Sequence, residues 1–210
     1  MNFKKITLLI LLMLPAVVLA KSAVEELQQD WAVANYQLKG GAQEKAFGTL
    51  VVKADAFLAA GPPNAELLTW RGIIKSSFAG VKGGLGALSL IKEAKKDLES
   101  ALKINDKALS GSAYTSLGTL YFKAPGWPIS YGDDEKAKKM LKQALDIDPE
   151  GIDSNFFYAE FLRDQGNMVK AKEYLGRAKR APQRLGRSVA DKGRHDDIAK
   201  ALLKVKDGLN

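Results

Sequence analysis

The chain has 210 residues, a formal net charge of +8 at pH 7, and 46% hydrophobic against 27% charged residues. This composition is typical of a globular protein, and the length suffices for one domain with a proper core. The absence of cysteine excludes disulfides, thiolate metal sites and a lipid anchor at a leader cysteine.

The first twenty residues have the pattern of a secretory signal peptide rather than of a folded segment. Two early lysines precede an apolar run over residues 6–14, and small residues at 18–20 form a cleavage site. The apolar stretch of about 15 residues is shorter than the roughly 20 that a membrane-spanning helix needs. We therefore expect cleavage after Ala20, no transmembrane segment in the mature chain, and a periplasmic location.

Three alanine–leucine–alanine triplets share one spacing of four and then three residues, which places each triplet on one stripe of a helix. The last two triplets lie 34 residues apart, the period of the tetratricopeptide helix pair. This pattern predicts an all-α, tetratricopeptide-like solenoid. The triplets are Ala94, Leu98 and Ala101; Ala137, Leu141 and Ala144; and Ala171, Leu175 and Ala178.

About four helix pairs fit residues 21–182. We predict first helices over 24–38, 67–78, around 114–121 and over 155–163, and a last second helix over 168–180. In the first pair, Ala46, Leu50 and Ala54 approximate the triplet. The second and third pairs contain long insertions, a flexible glycine-rich connection over 79–89 and a loop over 124–134 that its prolines exclude from a helix.

Residues 183–210 are predicted to form a C-terminal capping helix that covers the open end of the array. The segment from Arg177 to Arg194 is strongly basic, with seven cationic residues against Asp191 alone. Such a segment is either a solvated helix face or a surface for anionic lipids or acidic proteins. Export argues against nucleic acid as its partner.

No pattern in the chain indicates catalysis, a metal or a cofactor. The glycines at 83–86 lack the lysine and the preceding strand of a phosphate loop. His195 has only neighbouring carboxylates, whose side chains diverge on a helix. Helix capping accounts for Asp133 and the two acidic residues that follow it. We therefore expect no enzymatic activity.

The loop over 124–134 is the segment whose residue types most strongly indicate a binding or structural role. Pro125, Gly126, Trp127 and Pro128 set a tryptophan in a rigid frame. Tryptophan in such a frame is either a binding anchor or a structural plug folded onto the helices.

Residues 65–180 resemble the T component (TatT-like) associated with some tripartite ATP-independent periplasmic (TRAP) transporters. The resemblance rests on the segment 121–128 and on 131–134 with the Lys- and Ala-rich helix that follows. The Trp70–Gly72 motif and the glycine-rich segment over 80–86 resemble exported tetratricopeptide proteins near that family. Members of that family are typically lipoproteins, whereas this chain has no cysteine. The residues that match the family's pattern, and to which the resemblance gives a binding role, are Trp70, Arg71, Pro125, Gly126, Trp127, Pro128, Tyr131 and Asp133.

The resemblance implies a periplasmic, all-helical protein that binds a solute-binding protein, as a monomer or a homo-oligomer. It also implies a pocket or pore for an apolar or carboxylate ligand. Our leading hypothesis is an exported protein-binding adaptor. The alternatives are a small-molecule binding protein, with Trp70, Trp127 and Tyr131 lining one cavity, and an envelope scaffold that uses its basic C-terminal helix.

Overall fold

The computed structural model describes residues 22–209, so the expected signal peptide lies outside the described residues. Residues 22–209 form nine α-helices and one short 3₁₀ turn, Ala108–Gly111. None of these helices is long and apolar enough to cross a membrane. The helices are α1 (Ala23–Tyr36), α2 (Gly40–Ala59), α3 (Ala65–Lys82), α4 (Gly84–Ile104), α5 (Ser112–Lys123), α6 (Asp134–Ile147), α7 (Ile152–Asp164), α8 (Met168–Arg180) and α9 (Ser188–Asp207).

Side-chain caps define where several helices begin. Ser22 and Glu25 form a reciprocal capping box at α1, with hydrogen bonds of 3.2 and 2.9 Å. Asn64, Asp133 and Asn167 accept hydrogen bonds from backbone N–H groups in the first turns of α3, α6 and α8. Each cap of this kind contributes about 1 kcal/mol to stability. The cap predicted at Asp133 is therefore present, and these boundaries are encoded locally.

The three triplets form the contacts that hold each helix pair together, as their spacing predicts. All nine residues are fully buried. Gly72 on α3 and Gly118 on α5 let the leucines of α4 and α6 approach closely. A Cβ atom at either glycine would lie only 2.7 Å from the Cγ atom of Leu98 or Leu141. In the fourth pair, Ala159 occupies the equivalent place and is also fully buried.

Two local expectations differ from the structure. In α2 the buried stripe consists of Phe47, Leu50 and Ala54, whereas Ala46 is only partly buried. The glycine-rich connection predicted over 79–89 is helical except at Gly83, because α3 continues to Lys82 and α4 begins at Gly84. Glycine costs a helix about 1 kcal/mol relative to alanine, and packing of α3 against α4 outweighs that cost here.

The helices pack around two hydrophobic clusters, which α9 connects. One cluster joins α1, α2 and α3, and includes Ala190 near the start of α9. The other extends through α3 to α8 and includes Ile198 and Val205 from the rest of α9. Helix α9 thus contacts α7, α8 and also α1 from the opposite end of the described chain. At that contact Gly193 lies so close to Tyr36 that a Cβ atom would be 2.3 Å from the ring.

Substitution of Gly118 tests the close packing within a pair. We expect Gly118→Ala to destabilise the protein by about 1–2 kcal/mol, because overpacking against Leu141 exceeds the gain in helix propensity. Gly48→Ala on α2 is the matched control, because nothing lies within 4 Å of its Cβ position. It should stabilise by about 0.5–1 kcal/mol in urea unfolding. Equal effects of the two variants would contradict the packing we describe.

Candidate functional site

The first helices of the four pairs face inward and form the walls of a cavity of about 220 Å³. The walls come from α1, α3, α5 and α7, and residues just before and within α9 complete them. The lining residues are Trp31, Trp70, Ile73, Ser76, Ser77, Ser112, Thr115, Ser116, Thr119, Leu120, Asp153, Phe157, Arg184, Arg187 and Arg194.

A second cavity of about 470 Å³ adjoins the first. The two share Trp70, Ser112, Thr115, Asp153, Arg184 and Arg187. Asp148 and Glu150, in the connection between α6 and α7, also line the second cavity. Burial, followed by the negative charges of neighbouring carboxylates, raises the pKa of Asp148. We use the term inner cavity for the 220 Å³ space.

The inner cavity combines aromatic and aliphatic walls with a line of hydroxyl groups. Four hydroxyl residues on α5 follow the helical spacing i, i+3, i+4 and i+7 and therefore share one face. Several of the cavity's hydroxyls donate to carbonyls of their own segment, such as Thr119 to Thr115 at 2.8 Å. On α3, Ser77 accepts a hydrogen bond of 2.9 Å from the indole of Trp31. These bonds order the polar wall.

A cluster of charged residues joins the C-terminal segment to α7. The carboxylate of Asp153 accepts hydrogen bonds from Arg184 at 2.6 Å and from Arg194 at 2.7 Å. Arg184 also donates to Asp191 at 2.7 Å, and Arg194 to Asp197 at 3.2 Å. The guanidinium of Arg194 lies 4.4 and 4.6 Å from the ring centroids of two phenylalanines on α7. These contacts hold α9 across the open side of the array.

The electrostatics of this cluster favour its charged form. Burial alone would raise the pKa of Asp153, but the positive charges of Arg194 and Arg184 outweigh it and hold the pKa below its ordinary range. Burial opposes the charge on each of those two arginines, and the carboxylate of Asp153 more than compensates, so their pKa values are raised. The cluster is therefore ionised at neutral pH.

The basic segment from Arg177 to Arg194 is only partly a solvated helix face. Lys179, Arg180 and Lys192 are exposed. Arg184 and Arg194, in contrast, turn inward and pair with carboxylates, because Asp153 lies opposite them on α7. The expectation of one cationic outer surface is thus wrong for these two residues.

Of the eight residues named from the sequence as binding candidates, Trp70 alone lines the inner cavity. Arg71, its neighbour, points toward α2 and α4, where it donates to Asp97 at 2.9 and 2.6 Å and to Asp55 at 2.8 Å. Lys75 joins the same network through Asp97 at 3.0 Å. This network ties the first pair to the second.

The loop residues Pro125, Gly126, Trp127, Pro128, Tyr131 and Asp133 lie between α5 and α6 and are not among those lining the inner cavity. The structure therefore does not bring Trp70, Trp127 and Tyr131 into one cavity. Trp127 is 90% exposed and does not fold onto the helices. Tyr131 does, because its hydroxyl donates to the Ile91 carbonyl at 2.7 Å and its ring packs edge-on against Tyr121.

Backbone hydrogen bonds fix the path of the Trp127 loop. The N–H groups of Ile129 and Ser130 both donate to the carbonyl of Gly126 at 3.1 Å. Gly132 donates to Pro125 at 2.9 Å, and Asp133 donates to Tyr121 at 2.9 Å. The peptide bond between Trp127 and Pro128 is cis. The loop thus presents Trp127 and Ile129, which is 61% exposed, from an ordered frame.

Sequence reasoning missed the arginines and Asp153 as parts of one site. The hydroxyl line on α5 was a readable signal, since Ser112, Thr115, Ser116 and Thr119 recur at helical spacing, and Leu120 lies beside them on the cavity wall. No comparable signal places Arg187 beside Trp70, because that contact depends on the return of α9 toward α1. Within residues 22–209, no cluster of three or more acidic or histidine side chains is placed to hold a metal ion.

Residues 129–189 match the tetratricopeptide repeat family, which covers α6, α7 and α8. Among solved structures, a crystal structure of MamA protein is similar at a TM-score of 0.46 and 18% identity. The alignment covers 88% of this chain and 91% of that chain. No curated protein matches the sequence.

Removal of the Asp153 carboxylate tests the cluster that holds α9. We expect Asp153→Asn to destabilise the protein by about 2 kcal/mol at pH 7, less than a fully buried pair would show, because the side chain is 32% exposed. Since the folded-state pKa of Asp153 is lowered, its stabilisation is complete above about pH 4 and is lost as the pH falls further.

The difference in the free energy of unfolding between the wild type and Asp153→Asn should therefore narrow below about pH 4. Urea unfolding followed by circular dichroism measures it. Asp146→Asn, an exposed position on α6, is the control and should change stability by less than about 0.5 kcal/mol. A difference between Asp153→Asn and the wild type that does not change with pH would contradict the role of the carboxylate charge.

Proposed function

We propose that this protein is an exported adaptor that binds a periplasmic solute-binding protein through its Trp127 loop. The observation that carries the proposal is the exposure of Trp127 and Ile129 on a loop whose backbone is fixed by hydrogen bonds. An ordered, exposed tryptophan supplies a large contact area at little entropic cost, which is typical of an interface anchor.

Two further observations support an adaptor. The match to the tetratricopeptide repeat family over 129–189 includes part of the loop and the helices that follow it. Repeat arrays of this kind offer extended surfaces for protein partners. The resemblance of 121–128 and 131–134 to the T component of TRAP systems supports a solute-binding protein as the partner. The signal-peptide pattern supports the periplasm as the compartment in which the two proteins bind.

Loss of the Trp127 side chain should weaken partner binding. We expect Trp127→Ala to reduce recovery of a solute-binding protein at least about 30-fold, as for an interface hot spot of about 2 kcal/mol. The measurement is affinity capture of the mature protein from its native periplasm, followed by mass spectrometry. Val52→Ala on α2, where Val52 is 69% exposed, is the control and should leave recovery unchanged.

If both variants recover the solute-binding protein as the wild type does, the Trp127 loop is not the docking site. If the wild type recovers no solute-binding protein, the proposed partner is wrong.

Export is tested separately. We expect the protein from the periplasmic fraction to begin at Lys21, because the cleavage site ends at Ala20. N-terminal sequencing of the purified protein measures this directly. Ala20→Phe should block cleavage and leave the uncleaved precursor in the membrane fraction. A wild-type protein that keeps residues 1–20 would contradict the proposal.

A second function, the binding of a small molecule, is supported by the inner cavity. An apolar cavity of about 150 Å³ is large enough for a benzene-sized ligand, and the inner cavity is about 220 Å³. Its aromatic and aliphatic side chains offer apolar contacts, and its hydroxyls and arginines offer hydrogen-bond donors that orient a ligand. The cavity and the Trp127 loop involve different residues, so both functions fit one molecule.

A further inference from the structure

Arg187 differs from the other two arginines of the inner cavity in its partners. Arg184 and Arg194 both donate to Asp153. Arg187, in the part of the chain that the structure describes, makes no ion pair, and its buried Nε–H has no hydrogen-bond partner. Its guanidinium instead lies 5.1 Å from the centroid of the Trp70 ring. Arg187 is partly buried as a residue. A buried guanidinium N–H without an acceptor is uncommon, because water solvates a charged donor better than an aromatic face does.

A second donor in the same cavity is also without an acceptor. The Nε1–H of Trp70 is buried and makes no hydrogen bond within residues 22–209, although the other cavity tryptophan donates to Ser77. Buried donors are nearly always paired with a protein group, a ligand or an ordered water. Two unpaired donors, one of them charged, therefore line the same inner cavity.

The balance of charge on the cavity wall is positive. Arg184, Arg187 and Arg194 line it against Asp153 alone. Burial, together with repulsion from Arg184, lowers the pKa of Arg187, whereas the pKa values of its two neighbours are raised. The carboxylates of Asp153 and Asp191 favour the charge on Arg187, but burial and Arg184 outweigh them, because both carboxylates form their hydrogen bonds with other arginines.

The rest of the wall is apolar or hydroxylic rather than charged. Trp31, Ile73, Leu120 and Phe157 form surfaces suited to a hydrocarbon or aromatic body. A ligand that satisfies both parts of the cavity is an anion with an apolar body, such as an organic carboxylate of about ten non-hydrogen atoms, given the cavity volume of about 220 Å³. An inorganic anion would leave the apolar wall uncovered.

We propose that the inner cavity binds small organic carboxylates, with Arg187 as the counter-charge and the Nε1–H of Trp70 as a further donor. This inference rests on the second proposed function and names its ligand class. A carboxylate placed beside Arg187 accepts from its unpaired Nε–H, and its apolar body contacts the aromatic wall. The charge-assisted hydrogen bond then accounts for an arginine that the protein itself does not pair.

The test compares a charged and a neutral probe of the same length on the mature protein. Isothermal titration calorimetry with octanoate and with 1-octanol at neutral pH measures both affinities. We expect octanoate to bind about 10- to 100-fold more tightly than octanol, the range expected for a charge-assisted hydrogen bond.

Arg187→Gln should lose this preference and bind octanoate about as weakly as octanol, while octanol affinity stays at the wild-type value and reports an intact cavity. Arg187→Lys keeps the charge and should retain part of the preference. Arg180→Gln, an exposed position on α8, changes the net charge equally and should leave both affinities unchanged.

Each of the other possible results refutes a different part of the proposal. Equal binding of octanoate and octanol to the wild type would keep the small-molecule cavity and refute the carboxylate site. A preference that survives in Arg187→Gln would refute Arg187 as the counter-charge. Binding of neither probe would refute the carboxylate class together with the small-molecule function on which it rests.

Discussion

The inner face of this protein depends on the carboxylate of Asp153, which two arginines from the C-terminal segment share. Arg184 and Arg194 reach it at 2.6 and 2.7 Å. The apolar stripe of α9, which includes the fully buried Ile198 and Val205, packs into the same cluster as α7 and α8. The ion pairs add a directional constraint, because they fix how the segment after α8 lies against α7. Together the two contacts set the C-terminal segment across the inner face of the helix pairs and so complete the cavity.

The surfaces between paired helices and the inner face of the array differ in residue type. Between the helices of a pair, alanines and leucines pack to full burial, with glycine where the backbones approach most closely. On the inner face, the first helices present tryptophans, hydroxyls and charged groups instead. The triplets that pack most tightly lie on the second helices, α4, α6 and α8, whereas the first helices line the cavity. Trp70 and Leu120 belong to both the buried core and the cavity wall.

The two candidate sites have different physical origins. The Trp127 loop is a local structure, in which consecutive backbone hydrogen bonds and Tyr131 hold a short segment and expose its tip. The inner cavity is a global structure, to which every inward-facing helix contributes. The loop's residues were recognisable in the sequence as a unit, whereas the cavity's residues come from five separate segments and were recognised only in part, through Trp70.

The sequence by itself determined the helix pairs and their contacts. The spacing of Ala137, Leu141 and Ala144 requires one helical stripe, and Asp133 marks the start of a helix through a short-range hydrogen bond. Only the tertiary structure decided where the charges of the C-terminal segment go. The pairing of Arg194 with Asp153, and the position of Arg187 over Trp70, join residues far apart in the chain. Periodicity describes neighbours on one helix, but it does not describe which helices the array brings together.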